Sequence, residues 1–155
     1  MRVIAWISIA LIIVAAGFIV LLIASTDVVT SRYATLADAR SDNLFARGWL
    51  PDILPSSATQ IRTSNDLNVS TSEGEFWFAP RDYEQLSSHL HPYTDLENPL
   101  APFAAQVSRR KRGGFEVGAY SDEGSTWVFL CRPADGFCEY AMWLRRDSSE
   151  LVPTG

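Results

Sequence analysis

Hydrophobic residues are distributed very unevenly along the chain. No charged residue occurs from Val3 to Ala24, a run of 22 residues composed mostly of Ile, Leu, Val and Ala. A bilayer core about 30 Å thick is crossed by about 20 apolar residues in a helix, because a helix rises about 1.5 Å per residue. The pattern therefore predicts that residues 1–26 form one N-terminal transmembrane helix, which inserts in the lipid bilayer through Val3 to Ala24. Trp6 is expected at headgroup depth.

The alternative for this run is a cleaved export signal. Such a signal has a shorter apolar region, about 7–15 residues, and ends in a small-x-small site. The C-terminal end of the apolar run, Leu22–Ser25, has a bulky residue where a cleavage site needs a small one. We therefore favour an uncleaved anchor. Arg2 on the short flank favours an N-terminus in the cytoplasm. The protein is then a single-pass protein of the inner (cytoplasmic) membrane, with its C-terminal domain in the periplasm of a Gram-negative cell.

Alternating and helical patterns beyond the anchor predict an α+β domain over residues 35–147, after a tether (27–34) and before a frayed tail (148–155). A helix over 35–47 is indicated by a capping box of Thr35 and Asp38 and by Gly48 at its end. The other predicted elements are strands over 58–62, 74–79, 115–120, 125–132 and 137–145, and helices over 82–90 and 103–107, with 63–73 as a polar loop. This order predicts an antiparallel sheet of about five strands with helices on one face.

The last two predicted strands form a hairpin around Pro133–Gly136, whose residues are typical of a turn. A four-residue loop pairs Arg132 with Phe137 and therefore Cys131 with Cys138. Directly opposed residues have Cβ atoms about 4.5–5.5 Å apart, so we predict a disulfide in an oxidising compartment. Free thiols and a metal or redox pair are the alternatives. Both faces of the hairpin are apolar near its middle, which indicates a central position in the sheet.

The charge balance narrows the class of partner. The net charge is −5, and residues 27–155 carry 18 acidic against 12 basic side chains. A nucleic-acid partner needs a basic face, so none is expected. Within this acidic domain, residues 109–112 are the strongest local charge feature and suit lipid headgroups, an acidic partner or a solvated loop. Among the tryptophans, Trp49 and Trp77 are the best candidates for half-exposed positions, although core packing is the favoured interpretation for each. The candidate partner surface is Trp49, Trp77, Arg109, Arg110, Lys111 and Arg112.

No catalytic, cofactor or metal site is predicted. The two histidines, His89 and His91, are two residues apart, which on a helix points them in nearly opposite directions. The chain has no Gly-x-Ser-x-Gly motif, and its single lysine, Lys111, lies in the basic run. The carboxylates that lie close together in sequence occupy positions expected to be solvated; they are Asp82, Glu84, Asp95 and Glu97. A deep cleft that holds a histidine beside a buried carboxylate would instead indicate an enzyme.

One stretch of the sequence resembles a known family. Phe45–Ile61, which contains Gly48-Trp49-Leu50-Pro51, is followed by Gly74–Phe78 and by a helix start at Ala79–Asp82. This layout resembles small bacterial proteins that join an N-terminal membrane anchor to one extracytoplasmic domain, and the Gly-Trp-Leu-Pro start is similar to the YbbD head domain. The resemblance covers about residues 35–90. It implies the fold, the anchor and the compartment, and it brings no catalytic residues.

The function expected from the sequence is that of a non-enzymatic membrane protein whose periplasmic domain binds another envelope protein. An immunity-type protein is a narrower alternative, since a small, acidic, anchored domain can neutralise a basic toxin by charge complementarity. A small hydrolase, with a site assembled from residues distant in sequence, is an alternative from another class.

Overall fold

The computed structural model describes residues 27–93, 101–122 and 124–144, with the backbone alone for 101–103. The predicted anchor over 1–26 and the predicted tail over 148–155 lie outside the described residues. So do Asp95 and Glu97. Within the described ranges, no helix combines the length and the apolar character that a bilayer crossing requires.

Seven strands form one antiparallel sheet in the order β1-β2-β3-β7-β6-β5-β4. The strands are β1 Val28–Thr35, β2 Thr59–Asp66, β3 Thr71–Trp77, β4 His91–Pro92, β5 Glu116–Ser121, β6 Ser125–Arg132 and β7 Phe137–Leu144. The α+β class and the antiparallel sheet are confirmed. The predicted number of about five strands is wrong, because one further strand pairs at each edge of the sheet. These edge strands are β1 and β4.

Strand β1 occupies the segment that was predicted to be a tether. It pairs with β2 from Val28, opposite Asp66, to Thr35, opposite Thr59. The stretch predicted as a polar loop over 63–73 supplies the end of β2, a turn and the start of β3. Small polar side chains such as Asn65 and Ser72 are buried there, and Ser72 Oγ donates to Asn65 Oδ1 at 2.7 Å. This hydrogen bond and the strand pairing replace the large apolar residues from which strands are recognised in a sequence.

Among the described residues, three α-helices accompany the sheet, α1 Leu36–Ser41, α2 Tyr83–Ser87 and α3 Ala101–Arg112, with short 3-10 helices at Pro80–Asp82 and Pro133–Asp135. The predicted capping box is present, since Thr35 Oγ1 accepts the Asp38 N–H at 3.2 Å and Asp38 Oδ2 accepts the Thr35 N–H at 3.0 Å. Helix α1 nevertheless ends six residues before the predicted boundary. Just beyond it Asn43 adopts a left-handed conformation (φ +58°), which a continuing right-handed helix excludes. Helix α2 is shorter than predicted, and α3 is longer.

The sheet has a separate hydrophobic core on each face. Alternate residues of β6 and β7, including Phe129 and Tyr140, pack with α1, α2 and the connector over 48–55 on what we call the α1 face. The other set, including Leu130 and Trp143, packs with Val107 of helix α3 on what we call the α3 face. The prediction that helices cover one face is therefore wrong. The central position predicted for the β6–β7 hairpin is confirmed.

The hairpin register is the one that the sequence predicts. Arg132 lies opposite Phe137, and Cys131 forms a disulfide with Cys138. We call this side of the sheet the disulfide end; Trp77 and the start of β5 also lie there. The opposite side, which we call the Val28 end, holds the start of β1, the β2–β3 and β5–β6 turns and the end of β7.

Candidate functional site

Five of the six residues predicted for the partner surface come together at the disulfide end of the α3 face. Trp77 ends β3 opposite Phe137, on the sheet face opposite the buried Phe76. Residues 109–112 form the last turn of α3, so they are helical rather than a solvated loop. The contacts below connect the two groups. We call this set of residues the basic aromatic surface: Trp77, Arg109, Arg110, Lys111, Arg112, Phe115, Arg132 and Phe137.

The end of α3 is built by a two-glycine cap. The Phe115 N–H donates to Arg110 O and the Gly114 N–H donates to Lys111 O, both at 3.1 Å, and Gly114 has φ +81°. This is the hydrogen-bond pattern of a Schellman motif, in which glycine adopts the left-handed position without a steric penalty. The four basic residues before it lie at the negative end of the helix dipole, which favours their charges. The sequence Gly113-Gly114 after a basic run is therefore a helix-end signal.

Arg110 attaches the helix to the centre of the sheet. Its Nε donates to Glu139 Oε2 at 2.8 Å, and its Nη2 donates to Glu139 Oε1, so the pair is bidentate. The Glu139 side chain is 17% exposed on the central strand β7, where a carboxylate needs a partner to offset lost hydration. The Arg110 guanidinium also lies 5.1 Å from the Phe115 ring. Arg110 is thus a structural residue as well as a part of the surface.

Aromatic rings form the base of the surface. The Trp77 and Phe137 ring centroids are 4.7 Å apart, and Phe115 meets Phe137 edge-on at 6.4 Å. The Arg132 guanidinium lies 5.0 Å from the Phe115 ring and 5.9 Å from the Phe137 ring, and it also pairs with Asp135 at 3.0 Å. Ring faces attract guanidinium groups, so these contacts hold positive charge over the half-buried Phe115 ring and the buried Phe137 ring.

The remaining basic side chains project into solvent. Arg109, Lys111 and Arg112 are exposed, and none forms an ion pair with another residue that the structure describes. Lys111 Nζ lies 5.6 Å from the Tyr93 ring. Within the part of the chain that the structure describes, the last turn of α3 therefore presents three positive charges without an ion-pair partner beside an aromatic base. That combination suits contact with an acidic surface.

An open groove of about 300 Å³ continues from this surface across the strands β3 and β2. The charged and amide groups that line it are Arg62, Glu73, Glu75, Gln106, Arg110 and Glu139. Arg62 donates to Glu75 at 2.9 Å, next to the Arg110 and Glu139 pair. Each of these two arginines already binds a carboxylate. Polar side chains of a partner bound beyond the aromatic base would meet this groove.

Trp49 does not belong to the surface. It packs against the core of the α1 face, on the opposite side of the sheet from Trp77. The predicted grouping of these two tryptophans is therefore wrong. Whether these two tryptophans lie close together depends on which face of the sheet each segment covers. The connector that carries Trp49 crosses the α1 face.

His91 lines an open depression of about 320 Å³ between α2 and β5. Glu116, on the same wall, is exposed and accepts a hydrogen bond from the Tyr83 hydroxyl at 2.9 Å. Burial together with this hydrogen bond raises the pKa of the Tyr83 hydroxyl. His91 Nδ1 lies 3.3 Å from the carbonyl oxygen of Pro92. The depression therefore lacks the buried carboxylate that would indicate an enzyme, and among the described residues no cluster suits a metal ion.

The family comparison covers the first three strands. Residues 27–77 match the family model of the YbbD head domain. This confirms the resemblance predicted from the sequence. The YbbD head match begins just before β1, so the segment predicted as a tether is part of the matched unit. It spans about a third of the chain and contains Trp49 and Trp77, whereas α3 with residues 109–112 follows it. No curated protein and no solved structure gives a significant match.

Proposed function

We propose that this chain is a non-enzymatic, single-pass protein of the inner membrane whose periplasmic domain binds another envelope protein. The basic aromatic surface is the binding site, and an acidic patch on the partner is its ligand. The observation that carries the proposal is the convergence of Trp77 with the basic last turn of α3. Two segments more than 30 residues apart in sequence meet there and leave exposed charge beside the rings of Trp77, Phe115 and Phe137.

The anchor and the compartment are supported by two independent features. The apolar run Val3 to Ala24 has the length of a bilayer-spanning helix. The disulfide between Cys131 and Cys138 is the kind of bond that persists in an oxidising compartment such as the periplasm. An N-terminus in the cytoplasm, favoured by Arg2, agrees with both.

A protein suits the basic surface better than lipid headgroups do. The chain leaves the apolar run at the Val28 end, whereas the basic surface lies at the disulfide end. From Leu144 to Glu139, the residue that binds Arg110, strand β7 extends about 17 Å at about 3.4 Å per residue. This is about twice the Debye length of 8 Å at physiological ionic strength, so membrane charges are largely screened at that distance. Arginine and aromatic side chains also recur at the energetic centres of protein interfaces.

The other two predicted functions receive no comparable support. An immunity-type protein would present acidic charge to a basic toxin, whereas the surface described here is basic. A hydrolase would need a catalytic group in or near a cleft, and the depression beside His91 places an exposed carboxylate there that already binds Tyr83.

Crosslinking in intact cells tests the proposal, with the full anchored chain as bait. The charge reversal Arg109→Glu with Arg112→Glu is compared with the charge-preserving pair Arg109→Lys with Arg112→Lys. We expect one dominant crosslinked protein with the native chain and the lysine pair. The reversal should lower its yield more than tenfold, since like charges placed across an interface cost several kcal/mol.

A second control places the same charge change elsewhere. Arg40→Glu alters an exposed side chain of helix α1, on the opposite face of the sheet from α3, and should leave the yield within twofold. Equal crosslinking by the native chain and the reversal would show that the basic surface does not bind the partner. The absence of any crosslinked protein would contradict the binding function itself.

A further inference from the structure

The large apolar side chains that remain exposed are concentrated at one end of the sheet. Among the described residues, five such side chains are between 45% and 64% exposed: Val28, Val29, Leu67, Val69 and Leu144. All five lie at the Val28 end. None of these exposed apolar side chains lies at the disulfide end.

Strand pairing places the five residues together. Val28 and Val29 start β1 opposite Asp66 and Asn65, at the end of β2. Leu67 and Val69 lie in the turn that follows, and the Leu67 N–H donates to Asp27 O at 3.0 Å. Leu144 ends β7 one residue beyond Trp143, which pairs with Thr71 at the start of β3. The apolar residues therefore form a tip across four adjacent strands, and we call them the apolar tip.

The chain itself limits how far this tip can lie from a membrane. The apolar run ends at Ala24, and β1 begins at Val28. Four residue steps span at most about 14 Å when fully extended. The headgroup layer on each side of a bilayer is about 5–8 Å thick. If the run spans the bilayer, the start of β1 lies within or just above the headgroups.

We propose that the apolar tip docks on the bilayer that holds the anchor, with Leu67 and Val69 at the boundary between headgroups and acyl chains. This inference rests on the anchor in the proposed function and adds a second, reversible contact with the same membrane. The sheet then stands with its strands steeply inclined to the bilayer, and the disulfide end points away from it. The basic aromatic surface faces the periplasm.

The charged groups that the structure describes at the tip are carboxylates. Asp66 Oδ1 accepts the Asn68 N–H, and Asp122 Oδ1 accepts the N–H groups of Gly124 and Ser125. These carboxylates stabilise the two turns, and they repel anionic headgroups. Docking is therefore driven by apolar side chains, and it should occur on vesicles of phosphatidylcholine alone.

Depth-dependent quenching on the full-length chain tests this inference. Val69→Cys places a reactive thiol at the tip, and Arg81→Cys places one on an exposed turn at the disulfide end. Cys131 and Cys138 are bonded and at most 1% exposed, so a thiol-reactive fluorophore should label only the introduced residue. Each labelled chain is reconstituted in phosphatidylcholine vesicles with and without a spin-labelled phosphatidylcholine. Quenching at position 69 should reduce the fluorescence at least twofold, and quenching at position 81 should be below a tenth.

Flotation of the same vesicles separates this inference from the anchor. A chain that floats with the vesicles and is quenched at position 69 alone supports docking. A chain that floats but is quenched equally weakly at positions 69 and 81 retains its anchor, and docking is then wrong. Equal strong quenching at both positions would mean that the domain lies flat, which overturns the upright orientation. A chain that fails to float overturns the anchor, and the inference with it.

Discussion

The disulfide should contribute about 2.4 kcal/mol to the stability of the domain. Cys131 and Cys138 are separated by 7 residues in sequence. For a loop of this size, restriction of the unfolded chain lowers its entropy by about 8 cal/mol/K, which is about 2.4 kcal/mol at 25 °C. Both residues belong to the core of the α1 face. Reduction removes the cross-link but leaves both sulfur atoms to pack there, so it isolates the contribution of the bond.

Urea unfolding of the full chain in detergent, followed by tryptophan fluorescence, measures this contribution. The bond is buried, so reduction has to be carried out on the unfolded chain before refolding. For a slope of about 1–3 kcal/mol/M, the midpoint should fall by about 0.8–2.4 M urea. The double variant Cys131→Ala with Cys138→Ala should lose more, because it also removes two buried sulfur atoms. Equal midpoints for the oxidised and reduced native chains would refute the entropic reasoning.

Three other perturbations have defined outcomes. In urea unfolding, Gly74→Ala should lose about 2 kcal/mol by overpacking, because its Cβ would clash with the backbone carbonyl oxygen of Arg62 and lie 2.5 Å from the Tyr140 ring. Gly124→Ala, with no atom within 4 Å, should change stability by less than about 0.5 kcal/mol. A double-mutant cycle of Arg110→Met and Glu139→Gln, measured in the same way, should give a coupling of about 1 kcal/mol. Burial raises the pKa of the Tyr140 hydroxyl, so stability should fall above about pH 10, where the unfolded chain ionises, and fall less in Tyr140→Phe.

Each of these expectations has a contradicting result. Equal stability of the two alanine variants would show that the strands at position 74 have room for a side chain. Additive losses in the cycle would mean that the pair does not hold α3 to the sheet. An identical alkaline profile in the native chain and in Tyr140→Phe would mean that burial of this hydroxyl is not coupled to folding.

Local signals predicted the β6–β7 hairpin correctly. The residues Pro133–Gly136 define a loop whose length fixes the register, and from that register the pairing of Cys131 with Cys138 follows. Strand β1 was missed because its signal is not local. It has small polar residues and exposed valines, and it becomes a strand by pairing with β2 along its whole length.

The candidate surface was predicted as a set of residues but not as an arrangement. The positions of Trp77 and of residues 109–112 relative to each other depend on which face of the sheet α3 covers, and no local pattern determines that. Trp49 was placed on the candidate surface for the same reason, since no local pattern shows that the connector that carries it crosses the α1 face. Only the glycines at 113 and 114 were an available signal, since a basic run followed by two glycines marks the end of a helix.

One end of the sheet carries the apolar tip and the other carries the basic aromatic surface. The central strand β7 runs from one end to the other. Leu144 lies in the apolar tip, and Phe137 lies in the basic aromatic surface. Strand β7 separates them by about 24 Å at about 3.4 Å per residue. If the tip docks, the basic surface is held at about this height above the bilayer and turned away from it. A partner that is itself anchored in the same membrane then needs its acidic patch at a similar height. Confinement of both proteins to one membrane raises their effective concentration, so that a modest contact area suffices for binding.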